Sequence, residues 1–340
     1  MVMRKIVISI AGYGVVGKEF LRLIKEKKED IKNKYNLELV IGKIIGSKCA
    51  IFSDEGIDVE ELLKLSLGSM GLKEYCCIKN INFSSNCELI GDIFVDCTPT
   101  NLESGEPALS YIYEAIEKNM DLFLASKGAL VKNYKSINEK VKEKNLNIKF
   151  SGATAAALPT LDIGQICLPL TTIKEIKGIL NGTSNFILTS MIKNKMGYEE
   201  TLKLAFNKGI CEKNNNLDVS GFDTACKMVL IVNNILGKEV TLDDVEIQGI
   251  ENVTNEDIKK AIENDSVIKL LGECEVNDNK VKLKVSPKYI SNTEQLAKVD
   301  YNNKAIVFNT EEAGEIFCSG GASNPRAAAY SILKDILNAY

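Results

Sequence analysis

A chain of 340 residues exceeds one ordinary hydrophobic core and accommodates two domains. Its 45% hydrophobic and 26% charged residues are those of a soluble globular protein, and a net charge of −4 gives no reason to expect nucleic acid as a partner. The chain has no histidine, which excludes a histidine acid or base and any zinc site built on Cys and His. No metal site is expected from the residues themselves, and a proton donor must be Lys, Tyr, Asp, Glu or Cys.

Residues 4–11, Arg-Lys-Ile-Val-Ile-Ser-Ile-Ala, read as a buried parallel strand. A basic start and an apolar run resemble a signal peptide, but the run enters a glycine motif and lacks a small-residue cleavage site. No apolar run approaches the roughly 20 residues that cross a bilayer. No membrane is expected as a partner, and the cytoplasm is the expected location. The ten cysteines include no C-x-x-C pair. Cys87, Cys97, Cys167, Cys226 and Cys318 stand in apolar surroundings, which favours free buried thiols.

Gly12-Tyr-Gly14-Val15-Val16-Gly17 follows the strand and opens a helix that the pattern carries to about Lys27. The first glycine permits a tight turn, the second lets the backbone approach a pyrophosphate, and the third lets helix and strand pack closely. N–H groups at the helix start, Val15 and Val16, suit phosphate. A second strand, Leu37 to Ile45, ends in Gly46-Ser47-Lys48, with no carboxylate before Asp54. A carboxylate there favours NAD through the ribose hydroxyls. Ser47 and Lys48 suit a 2′-phosphate instead, so NADP is favoured over NAD; the alternative for Lys48 is a solvated loop charge.

Strands at 92–98, 121–125 and 147–151 alternate with helices at 107–119 and 137–144, which predicts a parallel, doubly wound α/β sheet. Lys127 follows the strand at 121–125, and ligands sit at the carboxyl ends of such strands. Tyr75 and Lys79 match the Tyr-x-x-x-Lys pattern of one dehydrogenase class but precede the strand at 92, so the match is read as chance. Residues 155–240 read as mostly helical, broken by a strand at 173–180. Residues 266–318 are strand-rich, at 281–285, 297–299, 305–308 and 315–318, and a last helix covers 325–337. The predicted division is 1–135 for nucleotide binding, 136–318 for an α+β second domain, and 319–340 for a C-terminal helix returning to the first.

Two segments carry chemistry. Asn181 to Met191 crosses from a strand into a helix, and its small polar residues, Thr183 among them, suit a cap or a polar ligand. Asp223 and Lys227 share one helix face. From Met228 to Gly237 nothing is charged, so the helix reads as buried, and a buried charge is costly unless paired or functional. Burial also drives an amine toward its neutral form, which suits proton transfer. An ordinary surface ion pair is the alternative.

Together these segments resemble the homoserine dehydrogenase family over essentially the whole chain. Asn181 to Met191 is similar to that family's most specific signature, and Gly209-Ile-Cys-Glu212 through Asp218, Gly221, Asp223 and Lys227 matches its acidic-basic segment. The resemblance implies a Rossmann-type nucleotide-binding domain and a second domain for substrate binding and dimerisation. It implies NAD(P)H-dependent interconversion of L-aspartate 4-semialdehyde and L-homoserine, in a homodimer or homotetramer. By the same resemblance Lys227 gives a proton to the developing alkoxide and Lys127 assists. Asp223 orients Lys227 and touches the substrate, Glu212 holds the substrate ammonium, and Asp218 and Thr183 complete the substrate site. Thr98, Lys127 and Gly321 are further cofactor contacts.

A related two-domain dehydrogenase on another small amino acid or aldehyde, and a catalytically silent nucleotide-binding sensor, are the competing readings. The chain departs from the family's pattern at Ile210, where an aromatic residue is expected, and at Asn214-Asn215, where Asp-Pro is expected. Ala155-Ala156-Ala157 replaces a glycine-rich stretch, and Ser151 stands where relatives carry a Glu that helps bind a monovalent cation. Neither an N-terminal kinase domain nor a C-terminal regulatory domain is expected.

Overall fold

The computed structural model describes residues 3–83, 87–211, 216–278 and 280–340. It divides into two compact units, Met1–Ala153 with Asn324–Tyr340, and Thr154–Ser323.

The first unit is built on six strands, β1 (Arg4–Ala11), β2 (Leu37–Ile45), β3 (Ala50–Phe52), β4 (Ile93–Asp96), β5 (Asp121–Leu124) and β6 (Ile148–Lys149). Their order is β3-β2-β1-β4-β5-β6, parallel throughout except for β3. Ile6, Ile8 and Ile10 of β1 are buried with Ser9 between them, as a strand covered on both faces requires. Ser9 satisfies its hydroxyl on the Ile90 carbonyl at 2.6 Å.

Five helices flank the sheet: α1 (Val15–Tyr35), α2 (Val59–Leu62), α3 (Gly68–Lys79), α4 (Ala108–Glu117) and α5 (Gly128–Glu143). α1 buries Phe20, Leu21, Leu23, Ile24 and Ile31. It runs beyond Lys27 because Ile31 continues the apolar stripe under a charged outer face. It ends where Asn36 turns to φ 54° and returns its N–H to the Lys32 carbonyl at 3.0 Å. Tyr75 and Lys79 lie on α3, where the Tyr75 hydroxyl accepts from the Asp58 N–H at 2.9 Å.

The sequence places a domain boundary near residue 135, but that position falls inside α5, and the unit continues to Ala153. The reason is the sheet: β6 pairs with β5 through Leu122 and Ile148, so the chain stays in the first unit until that strand is laid down. The strand expected to reach Ser151 stops at Lys149, and α6 (Ser151–Thr154) begins there. The last helix, Pro325–Leu337, lies in this unit as well. Its Ile332, Leu333 and Ile336 join the core, and Arg326 pairs with Glu26 at 2.5 Å and Glu19 at 3.4 Å on α1.

The second unit holds β7 (Ile173–Ile179), β8 (Val245–Ile247), β9 (Ser266–Asn277), β10 (Lys280–Ser291), β11 (Lys304–Thr310) and β12 (Glu315–Gly320), in the order β12-β11-β7-β9-β10-β8. All its pairings are antiparallel except β10 with β8. Its helices are α7 (Thr160–Asp162), α8 (Gly182–Asn194), α9 (Tyr198–Asn207), α10 (Asn216–Val219), α11 (Phe222–Leu236) and α12 (Asn255–Glu263), which makes Pro325–Leu337 α13. Thr224 to Val232 of α11 is buried apart from Lys227, which is partly buried, so a helix apolar on nearly every side is a core helix here.

The strand expected at 297–299 is a single 3-10 turn over Leu296–Lys298. Leu296, Ala297 and Val299 bury their side chains in a cluster with Ile179 and Val307 without joining the sheet. Cys167, expected in apolar surroundings, is exposed. None of the ten cysteines, all among the described residues, is joined in a disulfide. No helix among the described residues is long and apolar enough to cross a membrane.

Candidate active site

β1 runs into Gly12, whose φ of 98° lies in the left-handed region. A Cβ there would stand 2.3 Å from the Cys97 carbonyl oxygen, so only glycine turns the chain at this place. A Cβ on Gly17 would meet the Gly12 carbonyl at 2.2 Å, which holds α1 hard against the turn. At Gly14 a Cβ would meet nothing within 4 Å, and no side chain caps the helix that starts at Val15. The first-turn N–H groups of Val15 and Val16 are thus left for an outside acceptor at the positive end of the helix.

A cavity of about 390 Å³ opens here, lined by Gly12, Gly14, Ile45, Ser47, Thr98 and Pro107 among others. It lies where the strand order reverses between β1 and β4. Bare backbone, unclaimed donors and an adjoining cavity fit a dinucleotide pyrophosphate. Among the described residues lining it there is no carboxylate. Ser47 and Lys48 are exposed just beyond β2, on a loop held by Ser69, whose hydroxyl lies 3.2 Å from that of Ser47 and accepts from the Lys48 N–H at 3.0 Å.

Asp96, wholly buried at the end of β4, ties this rim together. Its carboxylate accepts from the Thr98 N–H and hydroxyl at 2.9 and 2.6 Å, and from the Ser126 hydroxyl and N–H at 2.5 and 3.2 Å. Burial pushes this carboxyl above its usual range, and the donors from Ser126 and Thr98 pull it back. The knot joins the carboxyl ends of β4 and β5. It sets Thr98 at the cavity and Lys127, half-buried, at the start of α5, where its N–H donates to the Thr100 hydroxyl at 3.3 Å.

In the second unit, Asn181 follows β7 and caps α8, its Oδ1 accepting from the Ser184 N–H at 2.9 Å. Its Nδ2 donates to Asp218 Oδ1 at 2.7 Å and to Asp223 Oδ2 at 2.8 Å. Lys227, one turn along α11 from Asp223, sets its Nζ 2.5 Å from Asp223 Oδ2 and donates to the Leu180 carbonyl at 2.8 Å. The side chains of Lys227 and Asp223 are 14% and 12% exposed, which removes the surface ion pair as an explanation. Burial, and after it the Asp223 charge, push the Asp218 carboxyl upward, while Asn181, Lys227 and Thr183 oppose this. Thr183 also donates to the Ile210 carbonyl at 3.3 Å. One asparagine amide therefore holds two carboxylates beside one ammonium. The capping type of Asn181 is visible in the sequence, but its partners 37 and 42 residues away are not.

Lys304 is a further member. It is 2% exposed at the head of β11, and its Nζ donates to the Ala155 carbonyl. Burial, with the charge of Lys227, pushes its pKa down to about 7, against the pull of Asp223. The one sequence sign of it is a lysine opening the apolar run Lys304-Ala-Ile-Val-Phe.

Glu212 and Asn214-Asn215 lie outside the described residues. Gly321, at φ 72°, packs its backbone on Ala157–Leu158 within the second unit. Ser151 gives its N–H and hydroxyl to Asp335 at 2.9 and 2.7 Å and its hydroxyl accepts from Lys334 at 3.1 Å. Among the described residues no group of three or more His, Cys, Asp or Glu converges as a metal site.

A doubly wound sheet with a glycine turn open to a pyrophosphate defines a dinucleotide-binding protein of the Rossmann class. Residues 159–337 match the family model for homoserine dehydrogenase. Over 336 residues the chain is 32% identical to a homoserine dehydrogenase of Methanocaldococcus jannaschii, covering 98% of each. It is 28% identical to an NAD(+)-dependent homoserine dehydrogenase of Pseudomonas canavaninivorans, covering 97% of this chain and 95% of that one. A solved structure of an S. aureus homoserine dehydrogenase superimposes with a TM-score of 0.76 at 26% identity, covering 99% of this chain and 76% of that one. The chain belongs to the homoserine dehydrogenase family, oxidoreductases that use NAD(P).

Proposed function

We propose that this chain interconverts L-aspartate 4-semialdehyde and L-homoserine, with Lys227 as the proton donor. The observation that carries the reading is the Lys227–Asp223 pair, held with Asp218 on Asn181 in a chain without histidine. A nicotinamide nucleotide would be held by the Gly12–Gly17 turn with Val15, Val16, Thr98, Lys127 and Gly321, and when bound would supply or take the hydride.

Lys227 Nζ gives its proton to the aldehyde oxygen as charge develops there and takes it back in the reverse direction. Asp223 fixes the direction of that ammonium through the 2.5 Å contact. Lys127 assists, Glu212 holds the substrate ammonium, and Asp218 and Thr183 complete the substrate site. Exposed Ser47 and Lys48, beside a cavity without a lining carboxylate, support NADP over NAD. No monovalent cation enters the proposed steps, since Ser151 contributes a hydroxyl already bonded to Asp335. The proposed assembly is a homodimer or homotetramer formed through the second unit, read by sedimentation velocity.

The test is homoserine oxidation and semialdehyde reduction with both dinucleotides, beside a separate binding measurement for each. Turnover in both directions, with the larger kcat/KM for the phosphorylated dinucleotide, is the expected result. A folded protein that binds a dinucleotide and turns over neither substrate contradicts the reading.

A further inference from the structure

Lys304 is a buried cation that the reaction just described leaves unused. It opens β11, where its neighbour Ala305 stands opposite Ile179 on β7. This antiparallel register brings Lys304 level with Leu180, whose carbonyl accepts from Lys227 Nζ at 2.8 Å. One residue further lies Asn181, whose amide carries both carboxylates. Among the described residues Lys304 forms no ion pair, and the acceptor of its Nζ is the Ala155 carbonyl. A buried amine without a counter-ion is costly, and an apolar side chain would fill the place more stably. On β12 it faces Gly320, which does not ionise, and neither does Ala155. Among the described residues, the charges that act on it come from α11: Lys227 repels its proton and Asp223 attracts it.

We propose that Lys304 is a positioning residue of this reaction: anchored on Ala155, its amine sets the charge against which Lys227 gives and takes its proton. The inference rests on the function proposed above, with Lys227 as the donor. Like charges each make the other a stronger acid, so the influence runs both ways. Burial and Lys227 hold Lys304 at about 7, so the cluster carries one more positive charge below that pH than above it. Without histidine, no side chain of ordinary pKa titrates in that range.

The experiment follows kcat/KM for homoserine oxidation from about pH 5.5 to about 9.5, with the dinucleotide saturating, for wild type, Lys304→Met and Lys227→Ala. Oxidation needs Lys227 in its neutral, proton-accepting form, and a charged Lys304, which repels the ammonium form, leaves more of it in that form as pH falls. The wild-type profile therefore flattens as pH falls through about 7, whereas Lys304→Met falls with a single slope. The ratio of variant to wild type falls toward acid, by up to about tenfold, the effect of one nearby charge. Profiles that run parallel, offset by a constant factor, assign Lys304 a structural role and overturn the proposal. If Lys304→Met does not fold, judged by melting and dinucleotide binding, the wild-type profile decides alone, and a constant acid slope overturns the proposal. Wild-type turnover in Lys227→Ala is a separate result that removes Lys227 as the proton donor, the reading on which the inference rests.

Discussion

Asn181 works at two distances, capping its own helix and holding two carboxylates from α10 and α11. Asn181→Ala removes a cap and takes one donor from each of two partly buried carboxylates. The expected loss is about 2 kcal/mol or more in urea unfolding, with homoserine turnover reduced as well. Asn181→Ser restores the cap and about 1 kcal/mol of that stability, but not the activity, because a serine hydroxyl does not bridge both carboxylates. An Ala variant as stable as wild type would show that water replaces the amide. Lys304 adds a pH term. Its folded pKa lies below the unfolded value, so between about 7 and 10.5 the unfolded state binds more protons. The penalty is full below 7 and is relieved as pH rises, by at most about 1.4 kcal/mol per pH unit. The stability advantage of Lys304→Met over wild type should thus shrink from neutral to alkaline pH in urea titrations. An advantage that does not change with pH contradicts the assignment.

The strand–turn–helix from β1 to α1 is the most legible element, because each of its constraints is local. Residues 4–11 form the predicted strand, and the glycine spacing predicts the turn. Gly12→Ala puts a methyl group 2.3 Å from a backbone oxygen at φ 98°, which costs roughly 1–3 kcal/mol in strain alone. Dinucleotide affinity, read by quenching of reduced-nicotinamide fluorescence, should fall at least about tenfold while β1 and the remaining sheet persist. Unchanged affinity would mean that the phosphates bind elsewhere. Elements whose reason is distant were less legible. Apolar Ala297 and Val299 suggest a strand, but their side chains enter the Ile179–Val307 cluster from a turn. A short window reports burial and does not say whether a neighbouring strand exists to pair with.

For the whole chain, alternating strands and helices disclosed the first unit, and the change of rhythm after residue 155 disclosed the second. The position of the division was not legible at residue 135, because β6 joins the first sheet through pairing with β5, a contact between segments 26 residues apart. The candidate site divides in the same way. Asp223 and Lys227 are four residues apart on one helix and were readable. The Asn181 bridge depends on the end of β7 meeting α10 and α11, and the place of Lys304 on β7 and β11 lying side by side, which only the folded unit establishes.

The most direct measurement of the central claim is oxidation of reduced dinucleotide with aspartate semialdehyde by wild type and by Lys227→Ala. Robust wild-type turnover that falls at least about 100-fold in the variant, the usual size for losing a general acid, is the predicted result. A variant that folds, binds dinucleotide and turns over at the wild-type rate would contradict the role of Lys227 and, with it, the chemistry assigned to the cluster on Asn181.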